Sequence, residues 1–274
     1  MPLSPIPTPE DIARIAKFYE PLERLLAPCF VDTSRIPDSR PLLFVGNHTI
    51  YGVLDVPFLI MGVHRERSIY LRALGDHIHF KIPVWRDFLD RYGVVDGNRE
   101  SCAQLLRAGE CVLVFPGGAR EVSKRKGEKY KLIWRQRLGF VRMAVSHGAT
   151  IVPFAALGAD DALDVVLDAD EVFASPIGRV LEKLNIRQDS ILPLVKGIGP
   201  TPIPRPERLY FQFMEPVCTK DYRGRETDDD ACKEIRNEVA ARIERGIDAL
   251  QDLRAGDPKR ALMPRLTDAL RGGR

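Results

Sequence analysis

Leu42-Leu43-Phe44-Val45-Gly46-Asn47-His48, continuing through Thr49-Ile50-Tyr51-Gly52-Val53-Leu54 to Asp55, is the stretch on which the fold turns. Leu42 to Val45 is apolar without interruption, and Gly46-Asn47 closes it. Such a run reads as a strand buried on both faces, because a half-exposed strand alternates apolar with polar residues. The residues after Asp55 read as a helix. A strand that passes into a helix through Gly-Asn-His is one unit of an α/β fold.

Downstream the same alternation continues. Ile69 to Arg72 reads as a short strand and Lys81 to Arg91 as helical. Asn98 to Ala108 reads as a helix, leading through Gly109 into the strand Cys111 to Phe115. Leu138 to His147 is a helix closed by Gly148, and Thr150 to Ala156 is the next strand. The pattern predicts a mixed, largely parallel sheet flanked by helices. Asp170 to Leu184 is helical with a break near Pro176. Four prolines between Lys196 and Glu207 impose an extended loop. Leu209 to Met214 is a strand, and Asp228 to Leu253 is a long, charged amphipathic helix.

Upstream, Thr8 caps a helix with Pro9 at its first position. Ile12, Ile15, Phe18, Tyr19, Leu22, Leu25 and Leu26 make one apolar face. The expected organisation is an N-terminal amphipathic helix (1–28), an α/β domain (29–220) and a C-terminal helical segment (221–274). The last roughly fifteen residues are basic and are expected to fray.

Composition removes several function classes. Forty-one Lys and Arg stand against 38 Asp and Glu, for a formal charge of +3. That balance does not indicate nucleic acid as a partner. The five cysteines are scattered and odd in number, which argues for free thiols rather than a disulfide framework or a zinc site. Met1 to Glu10 lacks the basic start and apolar run of a signal peptide. No stretch reaches the ~20 apolar residues of a spanning helix, yet the chain could still lie on a membrane.

The chemistry-bearing residues sit where strands end. A ligand site in an α/β sheet lies at the carboxyl ends of strands, and His48 is placed there. A neutral imidazole can take a proton from a hydroxyl near pH 7, and a carboxylate such as Asp55 would hold its tautomer. A lone histidine is more often structural, so the neighbouring motifs decide. Val114-Phe115-Pro116-Gly117-Gly118-Ala119-Arg120-Glu121 forms a second strand end. Its glycines let backbone N–H groups approach an oxyanion or phosphate, and Arg120 adds a forked cation. Gly93-Val94-Val95-Asp96-Gly97-Asn98-Arg99 leads into a helix, with Arg99 suited to an anionic headgroup. A basic run with aromatics follows the second block: Lys124, Arg125, Lys126, Lys129, Lys131, Arg135 and Arg137, with Tyr130 and Trp134. It reads as a solvated face, or as an anchor for anionic lipid or CoA phosphates. His77 and His79 resemble a metal pair, but no third ligand stands at a familiar spacing.

Together these blocks resemble the glycerolipid and lysophospholipid acyltransferase superfamily. His48 with Asp55 is similar to its first block, Gly93 with Arg99 to its second, Phe115 to Arg120 to its third and Ile151-Val152-Pro153 to its fourth. Two departures mark the chain. Six residues separate His48 from Asp55 where the family has four, and Gly117-Gly118-Ala119 replaces Glu-Gly-Thr. The Pro-Gly-Gly-Ala-Arg-Glu block, with Gly197 to Pro206, resembles the branch of diacylglycerol acyltransferases and phytyl ester synthases.

The resemblance implies an O-acyltransferase on the cytoplasmic side of a membrane, bound peripherally. His48 would activate a lipid hydroxyl for direct attack on the thioester of acyl-CoA or an acyl carrier protein. The acceptor would be a lysophospholipid, a diacylglycerol or a long-chain alcohol. Asn47, Arg99, Gly117, Gly118, Arg120 and Glu121 would line the substrate site. Lys124, Arg125, Lys126 and Trp134 would meet the membrane or CoA phosphates. Neither metal nor cofactor is implied beyond the acyl donor. A catalytically silent lipid-binding protein on the same fold is the alternative, and a metal-dependent hydrolase built on His77 and His79 is a distant third.

Overall fold

The computed structural model describes residues 4–184, 188 and 191–271. The chain runs α1 (Pro9–Leu26), β1 (Cys29–Val31), β2 (Leu42–Gly46), α2 (Val56–Arg67), β3 (Leu71–Gly75), α3 (Pro83–Arg91), β4 (Val95–Asp96), α4 (Arg99–Arg107) and β5 (Cys111–Val114). It continues through α5 (Ala119–Val122), α6 (Gly139–His147), β6 (Thr150–Leu157), β7 (Asp164–Leu167), α7 (Ala169–Ala174) and α8 (Pro176–Lys183). It ends with β8 (Leu194–Lys196), β9 (Tyr210–Phe213), α9 (Asp229–Ala255) and α10 (Leu262–Arg271).

Seven strands form one sheet in the order β1-β9-β6-β2-β5-β3-β4, and β7 pairs with β8 in a separate ribbon. Within the large sheet only β6 with β9 is antiparallel. This is the mixed, largely parallel α/β sheet that the alternation predicts.

The apolar run of β2 has a simple cause. Side chains alternate across a strand, so Leu43 and Val45 enter the core on one face and Leu42 and Phe44 the core on the other. The first core is closed by α4, α6 and α9. Ile235, Val239, Ile243 and Ile247 of α9, at a helical spacing, lie in it beside Ala155 of β6. The second is closed by α2 and the end of α1, with Phe58, Leu59 and Leu26.

Four strands escaped the sequence reading: β1, β4, β7 and β8. Each has two to four residues, too short to show a period. The C-terminal tail also differs from expectation. It carries α10, and Arg265 is buried, donating to the carbonyls of Leu25 (2.5 Å) and Pro206 (2.5 Å). Backbone acceptors on α1 and ahead of β9 thus hold the segment that its basic composition suggested would fray. Residues 272–274 of that tail, and residues 1–3 of the N-terminal segment, lie outside the described residues. The Thr8 cap forms on Asp11 N–H (3.2 Å), and α1 runs through Pro21 to Leu26.

Candidate active site

β2, β5, β3, β4 and β6 are parallel, so their carboxyl ends share one edge. Three of the four sequence blocks fall on it.

At the end of β2 the side chain of Asn47 prolongs the sheet. Its amide donates to Ala156 O (2.9 Å) and accepts from Ala156 N–H (2.8 Å). Both ends are engaged by β6, so Asn47 is a strand lock and not the substrate ligand that the sequence suggested. His48, the next residue, is partly exposed. Its ring stacks on Phe115 at the end of β5, with centroids 3.9 Å apart and planes 10° from parallel. Gly52, at φ +64°, covers the ring. A Cβ there would come within 2.2 Å of His48 Cε1, so only glycine fits.

His48 Nδ1 is buried and has no hydrogen-bond partner. Burial, together with the cation of Lys124, holds its pKa down to about 3. The ring is therefore neutral across the physiological range, as a general base must be.

Asp55 does not supply the expected orienting bond. It is buried at the N-terminus of α2, its Oδ1 unpartnered, and nothing joins it to His48 among the described residues. Burial, with a contribution from the Asp160 charge, pushes its pKa up to about 6. The separation follows from the longer interval between the two residues. A 3-10 turn, Ile50–Gly52, intervenes, with Tyr51 at φ 60°.

At the end of β5 the polar groups face inward. Gly118 N–H returns to Phe115 O (3.0 Å) in a tight turn. The Glu121 carboxylate accepts from Ile133 N–H (3.1 Å), and the N–H groups of His48 and Gly117 bear on the same carboxylate. Burial raises its pKa to about 7. At Gly118 the predicted oxyanion cradle is therefore engaged by the protein itself. Glu121 is held through Ile133, and its Oε2 is buried without a hydrogen-bond partner. Gly117 has to be glycine, since a Cβ would sit 2.2 Å from Glu121 Cγ. Arg120 is also internal. Its fork grips Glu128 at 2.9 and 2.5 Å, a bidentate pair that removes it from substrate binding.

The first part of the basic run, Lys124 to Lys126, is engaged by the protein too. Lys124 is only 2% exposed, with Nζ 3.2 Å from Asp160. Arg125 pairs with Asp170 (3.2 Å) and Lys126 with Glu171 (2.5 Å). Trp134 is 1% exposed and packs edge-on to Phe140 (5.5 Å), so it cannot sit among headgroups. Four cations of the run, Lys124, Arg125, Lys126 and Lys129, have acidic partners on the β6–α7 segment, distant in sequence. Arg99 does stay exposed, in the first turn of α4 at the end of β4. His77 contacts Asp96, and His79 accepts from Trp85 Nε1 (3.3 Å), so each has a partner other than a metal.

Two residues beside His48 were given no role of their own by the sequence reading. Asp160, fully buried, accepts from Ile50 N–H (2.7 Å) and Tyr130 N–H (2.9 Å) and faces Lys124. Phe115 is the platform for the imidazole. The available signal for Asp160 was its place in Gly158-Ala159-Asp160-Asp161, immediately beyond a strand end. A cavity of about 190 Å³ opens next to Asp160, lined also by Ile50, Lys124, Lys126, Leu163 and Val165 among others.

A histidine stands at a strand end of a parallel sheet with a glycine turn behind it, inside the span that the comparisons with known proteins cover. Residues 28–156 match the Acyltransferase family model. The chain is 36% identical over 247 residues to phytyl ester synthase 2 and 32% identical over 252 residues to phytyl ester synthase 1, both chloroplastic proteins of Arabidopsis thaliana. These alignments cover 84% and 86% of this chain but 35% and 36% of those proteins. The chain thus spans about a third of the length of these relatives. The 1-acyl-sn-glycerophosphate acyltransferase PlsC of Thermotoga maritima shares the fold, with a TM-score of 0.52, 17% identity, and coverage of 88% of this chain and 80% of that one. Residues 28–156 thus carry an Acyltransferase domain, and the chain is similar over most of its length to the phytyl ester synthase branch of the glycerolipid acyltransferases. No helix among the described residues is long and apolar enough to cross a membrane.

Proposed function

We propose that this chain moves a fatty acyl group from a thioester, acyl-CoA or acyl carrier protein, to a lipid hydroxyl at a membrane surface, with His48 as general base. The observation that carries this reading is the His48 ring itself. It is neutral and partly exposed, and it is fixed between Phe115 and Gly52 without a charged partner. As the acceptor oxygen attacks the thioester carbonyl, the imidazole takes its proton. The tetrahedral intermediate then collapses, the C–S bond breaks, and the thiolate leaves with the proton returned from the imidazolium. Ring stacking and the Gly52 turn do the positioning that a paired carboxylate does elsewhere.

The acceptor is best read as a neutral lipid alcohol. Arg120 and Lys124 are bound to Glu128 and Asp160, and Arg137, whose guanidinium lies beside Gly118, donates to Pro116 O (2.8 Å). The first two are thereby unavailable to a phosphate headgroup. The names of the Arabidopsis relatives point the same way.

Incubating the protein with labelled palmitoyl-CoA and a panel of lipid acceptors, and weighing the product lipid by mass spectrometry, tests the reading. Ester formed by the parent and lost in His48→Ala supports it. The unmade His48–Asp55 bond favours one competitor, a silent lipid-binding protein. Absence of both product lipid and free CoA with every acceptor would establish that competitor.

A further inference from the structure

The described residues expose twenty-one large apolar side chains, and fifteen of them lie on segments that leave the carboxyl edge of the sheet or return to it. Of these fifteen, all but Val53, on the β2–α2 connection, fall into two projections on either side of His48. One follows β3 and consists of the 3-10 turn His77–Lys81 and α3. This helix buries Leu89 alone and presents Val84 (83% exposed), Trp85 and Phe88, the last two stacked 5.2 Å apart. The other follows β6 and consists of the β7–β8 ribbon with α7 and α8. There Ile177, Val180 and Leu184 recur at helical spacing, all more than half exposed. Strand order places β2 and β5, with His48 and Phe115, between these two flanks.

We infer that these two projections are the membrane-docking surface, and that both tips enter the apolar layer of a lipid bilayer with the His48 cleft opening between them. The inference rests on the acyl-transfer reading only in its choice of a lipid over a protein as the occupant, and charge supports the same choice. On these segments Lys81, Arg179, Lys183 and Lys196, with Arg99 at the neighbouring end of β4, are exposed and have no carboxylate partner among the described residues. Asp87, Asp164, Asp170 and Glu171 are each held by a cation of the chain, while Asp76, Asp90 and Asp168 accept only from hydroxyl or backbone N–H groups. The uncompensated charge of the described residues is on balance positive beside the apolar tips, which suits an anionic headgroup layer over acyl chains. Two tips on separate excursions, with a gap between them, fit a deformable apolar medium better than one rigid partner groove. The N-terminal amphipathic helix is engaged elsewhere through part of its apolar face. Its Tyr19 packs edge-on to Phe58 (5.5 Å), its Leu26 is in the core, and α10 covers it.

The chain has two tryptophans, Trp85 on the α3 tip and Trp134 in the core, which makes the test direct. Vesicles of phosphatidylglycerol and phosphatidylcholine brominated along the acyl chains should quench the parent's fluorescence and leave Trp85→Phe unaffected. In flotation, Val84→Asp/Phe88→Asp and Ile177→Asp/Val180→Asp should each bind such vesicles at least about tenfold more weakly. Phe18→Asp, on α1, should bind like the parent. Transfer to a short-chain acceptor below its micellar concentration should be equal in all of them, while transfer to vesicle-embedded acceptor should fall with binding. If the tip variants float like the parent and Phe18→Asp does not, the proposal is overturned although acyl transfer stands. Dimerisation through α3 without vesicle binding would overturn it equally. Quenching of Trp85 with no transfer to any acceptor would uphold the docking surface and refute the enzymatic reading.

Discussion

The ends of β2 and β5 lie side by side and use their residues in opposite ways. At β2, the lock is the side chain of Asn47 and the group left over is His48, whose Nδ1 finds no partner. At β5, the residues that resemble a binding motif are bound to the protein itself: Gly118 to Phe115, Glu121 to Ile133, Arg120 to Glu128. The chemistry is concentrated in one imidazole, and the richer-looking motif builds its socket. A polar residue at a strand end is informative only once its alternative partners inside the fold are known.

The contrast is broken most sharply by removing the imidazole. His48→Ala should lower kcat by about 10²–10⁴-fold with an unchanged circular-dichroism melt, and parental turnover would move the chemistry to another strand end. On the socket side, Lys124→Met leaves the Asp160 carboxylate buried without its cation. It should cost roughly 3–5 kcal/mol in urea unfolding, whereas a solvated lysine would change stability by no more than about 0.5 kcal/mol. Trp134→Ala should cost about the same 3–5 kcal/mol because it empties a core site; a headgroup-layer tryptophan would cost little in the soluble protein.

A smaller effect concerns pH. With the His48 pKa held down to about 3 from an ordinary 6.5, the base form is present throughout the neutral range. The kcat profile should show no His48 limb between pH 8 and about pH 5. A limb near 6.5 that vanishes in no variant but His48→Ala would show the ring to be open to solvent and unaffected by Lys124. The smallest effect belongs to Asp55→Asn, which should change kcat by less than about tenfold, since Asp55 does not touch His48. Its effect on stability has a definite sign. The folded pKa, about 6, lies above the ordinary 3.8, so ionisation opposes folding increasingly as pH rises from 3.8 through 6. The amide removes that penalty, and Asp55→Asn should be at least as stable as the parent at pH 8, with no gain at pH 4. A large loss of kcat would restore Asp55 as the orienting group.

The sheet was legible in the sequence because doubly buried strands are continuous apolar runs and the intervening helices carry their own period. Leu42 to Val45, Cys111 to Phe115 and Thr150 to Ala156 needed nothing more. His48 was legible for a related reason, since a strand end fixes its place without any knowledge of its neighbours. The partners were not legible. Lys124 with Asp160, Arg125 with Asp170 and Lys126 with Glu171 join positions 36 to 45 residues apart, and no local pattern tells a paired cation from a free one. Trp134 looked amphipathic beside its basic neighbours, yet Arg236 of α9 covers its ring at 5.8 Å. The apolar tip of α3 was visible as a helix, but its exposure depends on nothing packing over it, which only the assembled fold decides.

The two hydrogen bonds between Asn47 and Ala156 also fix an orientation. Consecutive residues of a strand point to opposite faces, so a slip of β2 against β6 by a single residue would turn every side chain over and aim the imidazole into the α9 side of the sheet. Backbone bonds alone are nearly indifferent to such a slip, because each register offers equivalent donors and acceptors. An amide side chain that completes its pair with one backbone position and no other is not indifferent. Asn47 therefore acts as an indexing pin, and the side of the sheet on which this protein carries its base is set one residue before the base itself.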